Sequence, residues 1–426
     1  MKRVLVITYY WPPAGGSGVQ RVAKFCKYLP RFGWEPVVLT VREGTYFAMD
    51  PSLEKDLCHI REVHKARSVE LHRITGRAGD GKSNASLLSP KGTLLRHFLE
   101  LARLNLLIPD ARIGWYPNAV HMGQRVCKTN RIDLIFSSCP PFTTHLVAKR
   151  IRNKCRLPWV ADFRDPWVEQ ACYNTVFRNI ITFELNKRLE LSVLKTADVV
   201  VTVGKKMRDL LASKASRPRI ETITNGYDEA DFSGHENPSS TFFYLSYFGT
   251  LHDTQKPEPF FKALSTLSSS HKAFNRDFRI RFVGNISSET LRKVNTMFGR
   301  EQWSWIKYLE HEEMIRMLQE EQVLVLLVNR VPHNRLIITG KIFEYLRTGN
   351  PVLGIGPEDS EASDILKETG AGQMFDYADT DRTADFILSQ YEKWKEARLK
   401  GAGRHFPKYE RVSQTAMLAD LFDQLA

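Results

Sequence analysis

The sequence has few cysteines and no pattern among them. Its six, Cys26, Cys58, Cys127, Cys139, Cys155 and Cys172, form no C-x-x-C pair and no regular framework. That argues against structural zinc and against a disulfide scaffold, and it points to a reduced, cytoplasmic setting. Long apolar runs are missing too. The longest, residues 323–328, falls far short of the roughly 18 residues that a spanning helix needs. The apolar stretch after Lys2 and Arg3 runs into Tyr9-Tyr10-Trp11-Pro12-Pro13 with no small-residue cleavage site, so it reads as a first strand and not as a signal peptide. The 12 histidines include no H-E-x-x-H, and no G-x-S-x-G occurs. Zinc proteolysis and serine hydrolysis are left without support. No repeat of solenoid period is visible.

Acidic charge is scarce in one half only. Residues 1–235 carry 37 Lys and Arg against 22 Asp and Glu, a net of +15, while residues 236–426 sum to −2. A basic half beside a near-neutral half predicts that the first half faces something anionic: lipid headgroups, phosphates or nucleic acid.

What is present is a chain of 426 residues, 42% hydrophobic and 26% charged, long enough for two domains. Short β-branched runs at 4–8, 37–40, 134–137, 159–161 and 199–203 alternate with helical stretches such as 19–30 and 183–196. The rhythm resumes at 243–248, 278–283, 323–328 and 351–355. Continuous apolar strands between helices imply parallel sheets covered on both faces. Turn formers crowd 225–240, so the predicted domains are 1–235 and 236–409. A C-terminal helix over about 410–426 is a candidate to pack back on the first. Two doubly wound domains in tandem are expected to face a central cleft at the carboxyl ends of their strands.

Four segments could carry chemistry. Gly15, Gly16, Ser17 and Gly18 follow the first strand and open a helix, where bare backbone and free N–H groups favour a phosphate or other anion. The bland alternative is a permissive strand–helix turn. In the second half, Thr339 can cap a helix in which Lys341 and Glu344 share one face while Ile342, Phe343 and Leu346 turn inward. There a carboxylate can accept ribose hydroxyls while the lysine and the helix start meet a diphosphate. The alternative is a surface Lys–Glu pair of ~0.3–0.5 kcal/mol. Asp162, Arg164 and Asp165 leave the strand at 159–161, where a carboxylate could orient an acceptor hydroxyl and the arginine could meet a phosphate; a structural turn before Pro166 is the alternative. Residues 92–109 are leucine-rich, broken by Arg96, His97 and Arg103, and follow a polar, basic stretch at 73–89. They fit either a core helix or a segment seated on an anionic membrane. Asp379-Thr380-Asp381 formally matches a metal-binding D-x-D but precedes a helix, where Asp is an ordinary cap.

The order of Gly15-Gly16-Ser17-Gly18-Val19, Thr224-Asn225-Gly226-Tyr227-Asp228, Phe248-Gly249-Thr250 and Lys341-Ile342-Phe343-Glu344-Tyr345-Leu346 resembles the retaining glycosyltransferases of family 4 over nearly the whole chain. The resemblance implies the GT-B fold, two Rossmann-like domains, and a hexosyltransferase-like enzyme. It implies a UDP-, GDP-, ADP- or dTDP-sugar donor and a sugar or lipid-linked acceptor, with no cofactor and no metal. It gives Glu344 the donor's ribose, gives the loop of Thr339 and Gly340 the diphosphate, and makes Gly249, Thr250 and Lys256 further donor contacts. It places catalytic residues among Asp162, Arg164 and Asp165, where the family often has a histidine. The family's first glutamate, eight residues ahead of Glu344, is replaced by Leu336, so no role is assigned there. The expected setting is the cytoplasm, at the inner face of the membrane. Two rivals are a nucleotide-sugar 2-epimerase of the same fold, and a nucleic-acid-binding protein suggested by the basic half with Trp34, Trp115, Trp159 and Trp167.

Overall fold

The computed structural model describes residues 1–44, 46, 49–69, 105, 107–171, 179–216, 218–232, 240–252, 254–255, 257–397 and 405–426. Lys256, the basic stretch at 73–89 and nearly all of the leucine-rich segment 92–109 lie outside the described residues.

The chain divides into two compact units, Met1–Thr224 with Arg411–Ala426, and Asn225–Glu410. The first holds β1 (Lys2–Ile7), α1 (Ser17–Tyr28), β2 (Trp34–Val41), β3 (Val63–Ala66), α2 (Tyr116–Thr129), β4 (Leu134–Cys139), α3 (Thr143–Cys155), β5 (Trp159–Phe163), α4 (Trp167–Ala171), α5 (Ile180–Leu194), β6 (Val199–Thr202), α6 (Lys205–Lys214) and β7 (Arg219–Thr222). Its seven strands are ordered β3-β2-β1-β4-β5-β6-β7, and every pair is parallel. Alternation along each strand sends side chains to both faces. In β1, Leu5 and Ile7 join the core under α2, α3, α5 and α6, with Ala119, Val147, Ile151, Val193 and Leu211. Val4 and Val6 point the other way, to Val22, Phe25 and Cys26 of α1. Trp34, Trp115, Trp159 and Trp167 are all buried in these two cores, so none offers a ring to a base.

The second unit holds β8 (Phe243–Phe248), α7 (Glu258–Ser270), α8 (Lys272–Asp277), β9 (Phe278–Val283), α9 (Ser288–Met297), β10 (Trp303–Ile306), α10 (His311–Glu320), β11 (Val323–Leu327), α11 (Lys341–Thr348), β12 (Val352–Ile355), α12 (Glu361–Thr369), β13 (Gly372–Phe375) and α13 (Thr380–Lys395). Its six strands are ordered β10-β9-β8-β11-β12-β13, again all parallel. Both units therefore reverse strand order beside their first strand, β1 and β8, where α/β sheets open a crevice at the strands' carboxyl ends.

The chain crosses between the units twice. Near these crossings the Tyr227 amide donates to the Tyr409 carbonyl (3.0 Å), and the Tyr227 hydroxyl bonds Phe406 on both its amide and its carbonyl. The last helix, α14 (Arg411–Asp423), then lies on the α1 face of the first sheet. There Phe422 packs 5.2 Å from Trp34 and 5.8 Å from Phe136, centroid to centroid. Phe422 is fully buried, so Phe422→Ala is expected to cost about 3–5 kcal/mol in urea denaturation. A loss below about 1 kcal/mol would mean that α14 contributes little to the first unit.

Candidate functional site

In the second unit, glycine at two strand ends lets the backbone close around a lysine. Gly249 follows β8 with φ +110°, and Gly284 follows β9 with φ +115°. A Cβ on Gly284 would stand 2.5 Å from the Gly249 carbonyl oxygen, and one on Gly249 would stand 2.9 Å from Lys341 Nζ. The conformation favours glycine at both positions, and at Gly284 the space requires it as well. Lys341 Nζ donates to the Tyr247 hydroxyl at 2.9 Å and lies 4.0 Å from that ring's centroid. The Tyr247 hydroxyl in turn donates to the Thr250 carbonyl (2.7 Å) and accepts from Gln255 Nε2 (3.1 Å). The ammonium is thus aimed along the bare main chain of Gly249.

Lys341 opens α11, and Glu344 ends its first turn; both are partly exposed, while Ile342, Phe343, Tyr345 and Leu346 are fully buried. The expected inward and outward faces are therefore as the spacing predicts. Thr339, expected to cap the helix, does not. The cap position is Gly340, with no side-chain cap bond, and Thr339 contributes its carbonyl to the Ile342 amide (3.2 Å). Its hydroxyl oxygen is buried with no partner among the described residues. A tight first turn draws the backbone in and leaves the threonine side chain out of cap geometry. Gly349 (φ +74°) ends the helix as read. Beneath it, burial pushes the Tyr345 phenol well up, so it stays a neutral acceptor for the Phe248 amide (3.2 Å).

In the first unit the glycine-rich loop and the β5 exit meet. Gly16 has φ +104° and caps α1, whose first turn holds no acid. A Cβ on Gly18 would fall 1.2 Å from Arg164 Nη1, so the guanidinium lies directly over the start of α1. Arg164 is held there by Nε to the Cys139 carbonyl (2.7 Å) and Nη2 to the Pro140 carbonyl (2.8 Å). Cation and helix N-terminus together favour an anion. Gly15 packs against Asp50, and Ser17 is exposed.

Asp162 has a different task from the one expected of a catalytic residue. It is fully buried and paired with Arg21, Nη2 to Oδ1 at 2.8 Å and Nε to Oδ2 at 3.1 Å, while Ser138 donates to Oδ2 at 2.7 Å. Arg21 also donates to the carbonyls of Ile223 and Thr224. A carboxylate whose oxygens are turned inward anchors α1 and cannot meet a substrate. Asp165 and Arg164 remain partly accessible on this loop.

Below the loop, His145 is fully buried, with Nδ1 2.9 Å from the Ser137 hydroxyl. Desolvation pushes its pKa down to about 3, with Arg164 adding to the fall and Asp162 opposing it. The unfolded chain takes up a proton near pH 6.5 that the fold refuses, so this group lowers stability as pH falls from about 6.5 toward 3 and contributes no such loss above. The slope is up to about 1.4 kcal/mol per pH unit. His145→Gln should flatten the difference between denaturation midpoints at pH 7 and pH 5; an unchanged difference would assign the acid sensitivity elsewhere.

Sequence reasoning missed Tyr247, Gln255 and Gly284, which hold Lys341 and shape its surroundings. It also missed Trp305, whose indole is 40% exposed and donates to the Gly284 carbonyl (2.9 Å). The glycine at 284, just after an apolar strand, was the one legible signal. Asp379 is a helix cap, as read: its Oδ1 accepts from the Arg382 amide (3.1 Å).

Two doubly wound parallel sheets, of seven and six strands, are the architecture of GT-B glycosyltransferases. Residues 15–226, nearly all of the first unit, match the glycosyl transferase 4-like domain. Among solved structures it is similar to sucrose-phosphate synthase from Thermosynechococcus elongatus (TM-score 0.67, 14% identity, 100% of this chain and 99% of that one covered). It is also similar to HepE of Anabaena in complex with UDP-glucose (0.65, 13%, 100% of both chains). A third is a Listeria monocytogenes protein assigned as a UDP-N-acetylglucosamine 2-epimerase (0.57, 11%, 100% and 98%). These likenesses are of fold. No curated protein sequence matches the chain.

Proposed function

We propose that the enzyme transfers a sugar from a nucleotide-sugar donor to an acceptor hydroxyl with retention of configuration, the acceptor being a glycolipid or growing surface polysaccharide at the inner face of the membrane. The observation that carries the donor reading is Lys341 Nζ, fixed by Tyr247 beside the bare backbone of Gly249. A cation so held, with the positive end of α11, suits a diphosphate, and Glu344 on the same turn suits the ribose hydroxyls. The complex of HepE with UDP-glucose supports this class of donor. The +15 charge of residues 1–235 supports an acceptor on an anionic surface.

In this reading the C1–O bond breaks with its electron pair going to the nucleoside diphosphate, whose new charge Lys341 and the helix start stabilise. The acceptor oxygen bonds C1 from the same face and passes its proton to the departing phosphate oxygen. Arg164, over the start of α1, holds an anionic part of the acceptor, and Asp165 orients its hydroxyl. No divalent metal takes part, and transfer is expected to survive EDTA; loss of turnover on chelation would overturn that point.

The test of the donor site is a thermal-shift panel of UDP-, GDP-, ADP- and dTDP-sugars. A nucleotide at 100 times its Kd adds ~2.7 kcal/mol of stability. One nucleotide series should stabilise the wild type and not Glu344→Ala. Equal stabilisation of both proteins would remove Glu344 from the site. An epimerase of the same fold would convert donor with no acceptor present, and that turnover would decide for it.

A further inference from the structure

Three of the exposed large apolar side chains among the described residues sit on the first two turns of α5: Ile180 at 76% exposure, Ile181 at 68% and Leu185 at 39%. The inner face of the helix has no need of them. Thr182, Asn186, Glu190, Val193 and Leu194 are buried there. Asn186 accepts from Trp167 Nε1 (2.9 Å), and Glu190 pairs with Lys214 (2.9 Å). The start of the helix is fixed as well, by the Asn179 side chain accepting from the Thr182 amide (2.8 Å). The isoleucines are therefore held out on a rigid frame.

Positions 180, 181, 184, 185 and 188 share one helix face. That face carries Ile180, Ile181 and Leu185 with a Glu184–Arg188 ion pair (3.3 Å), the arginine largely exposed, and exposed Lys187 lies at its border. An apolar tip edged by cations, in a half-chain of net +15, suits an anionic lipid surface better than a neutral protein contact. Its place in the fold matters too. The C-terminal end of α5 leads into β6, so its first turns lie at the carboxyl end of the strands. That is the end that carries Arg164, Asp165 and the Gly15–Gly18 loop.

We infer that the first turns of α5 are a membrane-docking surface. Ile180, Ile181 and Leu185 enter the boundary between headgroups and acyl chains of an anionic bilayer, and Lys187 and Arg188 meet the headgroups. The inference rests on the reading of the acceptor as membrane-held, because it brings the acceptor loop's end of the first unit to the lipid.

The experiment is co-sedimentation of the full chain with vesicles of phosphatidylglycerol and phosphatidylcholine, and with vesicles of phosphatidylcholine alone. The wild type should bind the anionic vesicles, and Ile180→Asp with Ile181→Asp should lower that partition at least tenfold with an unchanged melting temperature. Lys187→Glu should weaken it severalfold and reduce its salt dependence. Wild type that ignores anionic vesicles, or an Asp variant that binds as well as the wild type, overturns the proposal. So does an Asp variant that only breaks a dimer, which would make the patch an interface between copies. Stabilisation by nucleotide is measured without vesicles. Transfer to a lipid-linked and to a soluble acceptor is scored separately, so failure of the donor or acceptor reading is distinguished from failure of docking.

Discussion

Lys341→Ala is expected to lower kcat by at least about 100-fold, the loss seen when one preorganised group facing a developing oxyanion is removed. Tyr247 fixes the Lys341 ammonium by hydroxyl and ring together, and Gly249 leaves no side chain between it and the backbone. Charge that develops only as the diphosphate leaves is met by a cation that need not move, so the loss should fall on kcat more than on KM. Lys341→Arg should recover little, since the larger planar guanidinium does not fit the close space between Gly249 and the Tyr247 hydroxyl that the compact ammonium fills. Release of nucleoside diphosphate at saturating donor is the readout. A drop of less than fivefold would place the leaving group elsewhere.

An effect on stability as large as that of Phe422→Ala is expected from the ion pair beneath the glycine-rich loop. Arg21 and Asp162 have no exposed surface, and removing one partner strands the other charge in the core. Arg21→Met and Asp162→Leu should each cost about 3–5 kcal/mol. Combining Arg21→Met with Asp162→Leu should recover part of the loss, because the stranded charge is gone while the carbonyls of Ile223 and Thr224 still lose their donor. Denaturation curves of the two single variants and the double variant give the coupling. Additive losses would show that the two residues act independently.

The strands that the sequence revealed are the inner ones. β1, β2, β4, β5 and β6 in the first sheet, and β8, β9, β11 and β12 in the second, lie between neighbours and carry mostly buried apolar residues, alternating in β9 with the half-buried Arg279 and Arg281. The four that the apolar pattern did not reveal, β3, β7, β10 and β13, are the edges. Half-exposed sequences such as Arg219–Thr222 and Trp303–Ile306 carry no such pattern. The site divides in the same way. Lys341 and Glu344 were legible because a helix start leaves local marks, whereas Gly249 was reached only through the family resemblance. The Arg21–Asp162 pair joins residues 141 apart in sequence, and nothing near either one signals the other. Asp162 and Asp165 look alike in sequence, and the alternation of a strand end decides which one turns inward.

The return of α14 to the first sheet has a consequence for synthesis on the ribosome. Trp34, Phe25 and Phe136 are made early, but their partner Phe422 emerges only after residues 225–410 have been translated. At about 5–20 residues per second that interval is roughly 10–40 s. Throughout it one apolar face of the nascent first unit stands uncovered, and this is the stage at which a chaperone would engage the chain.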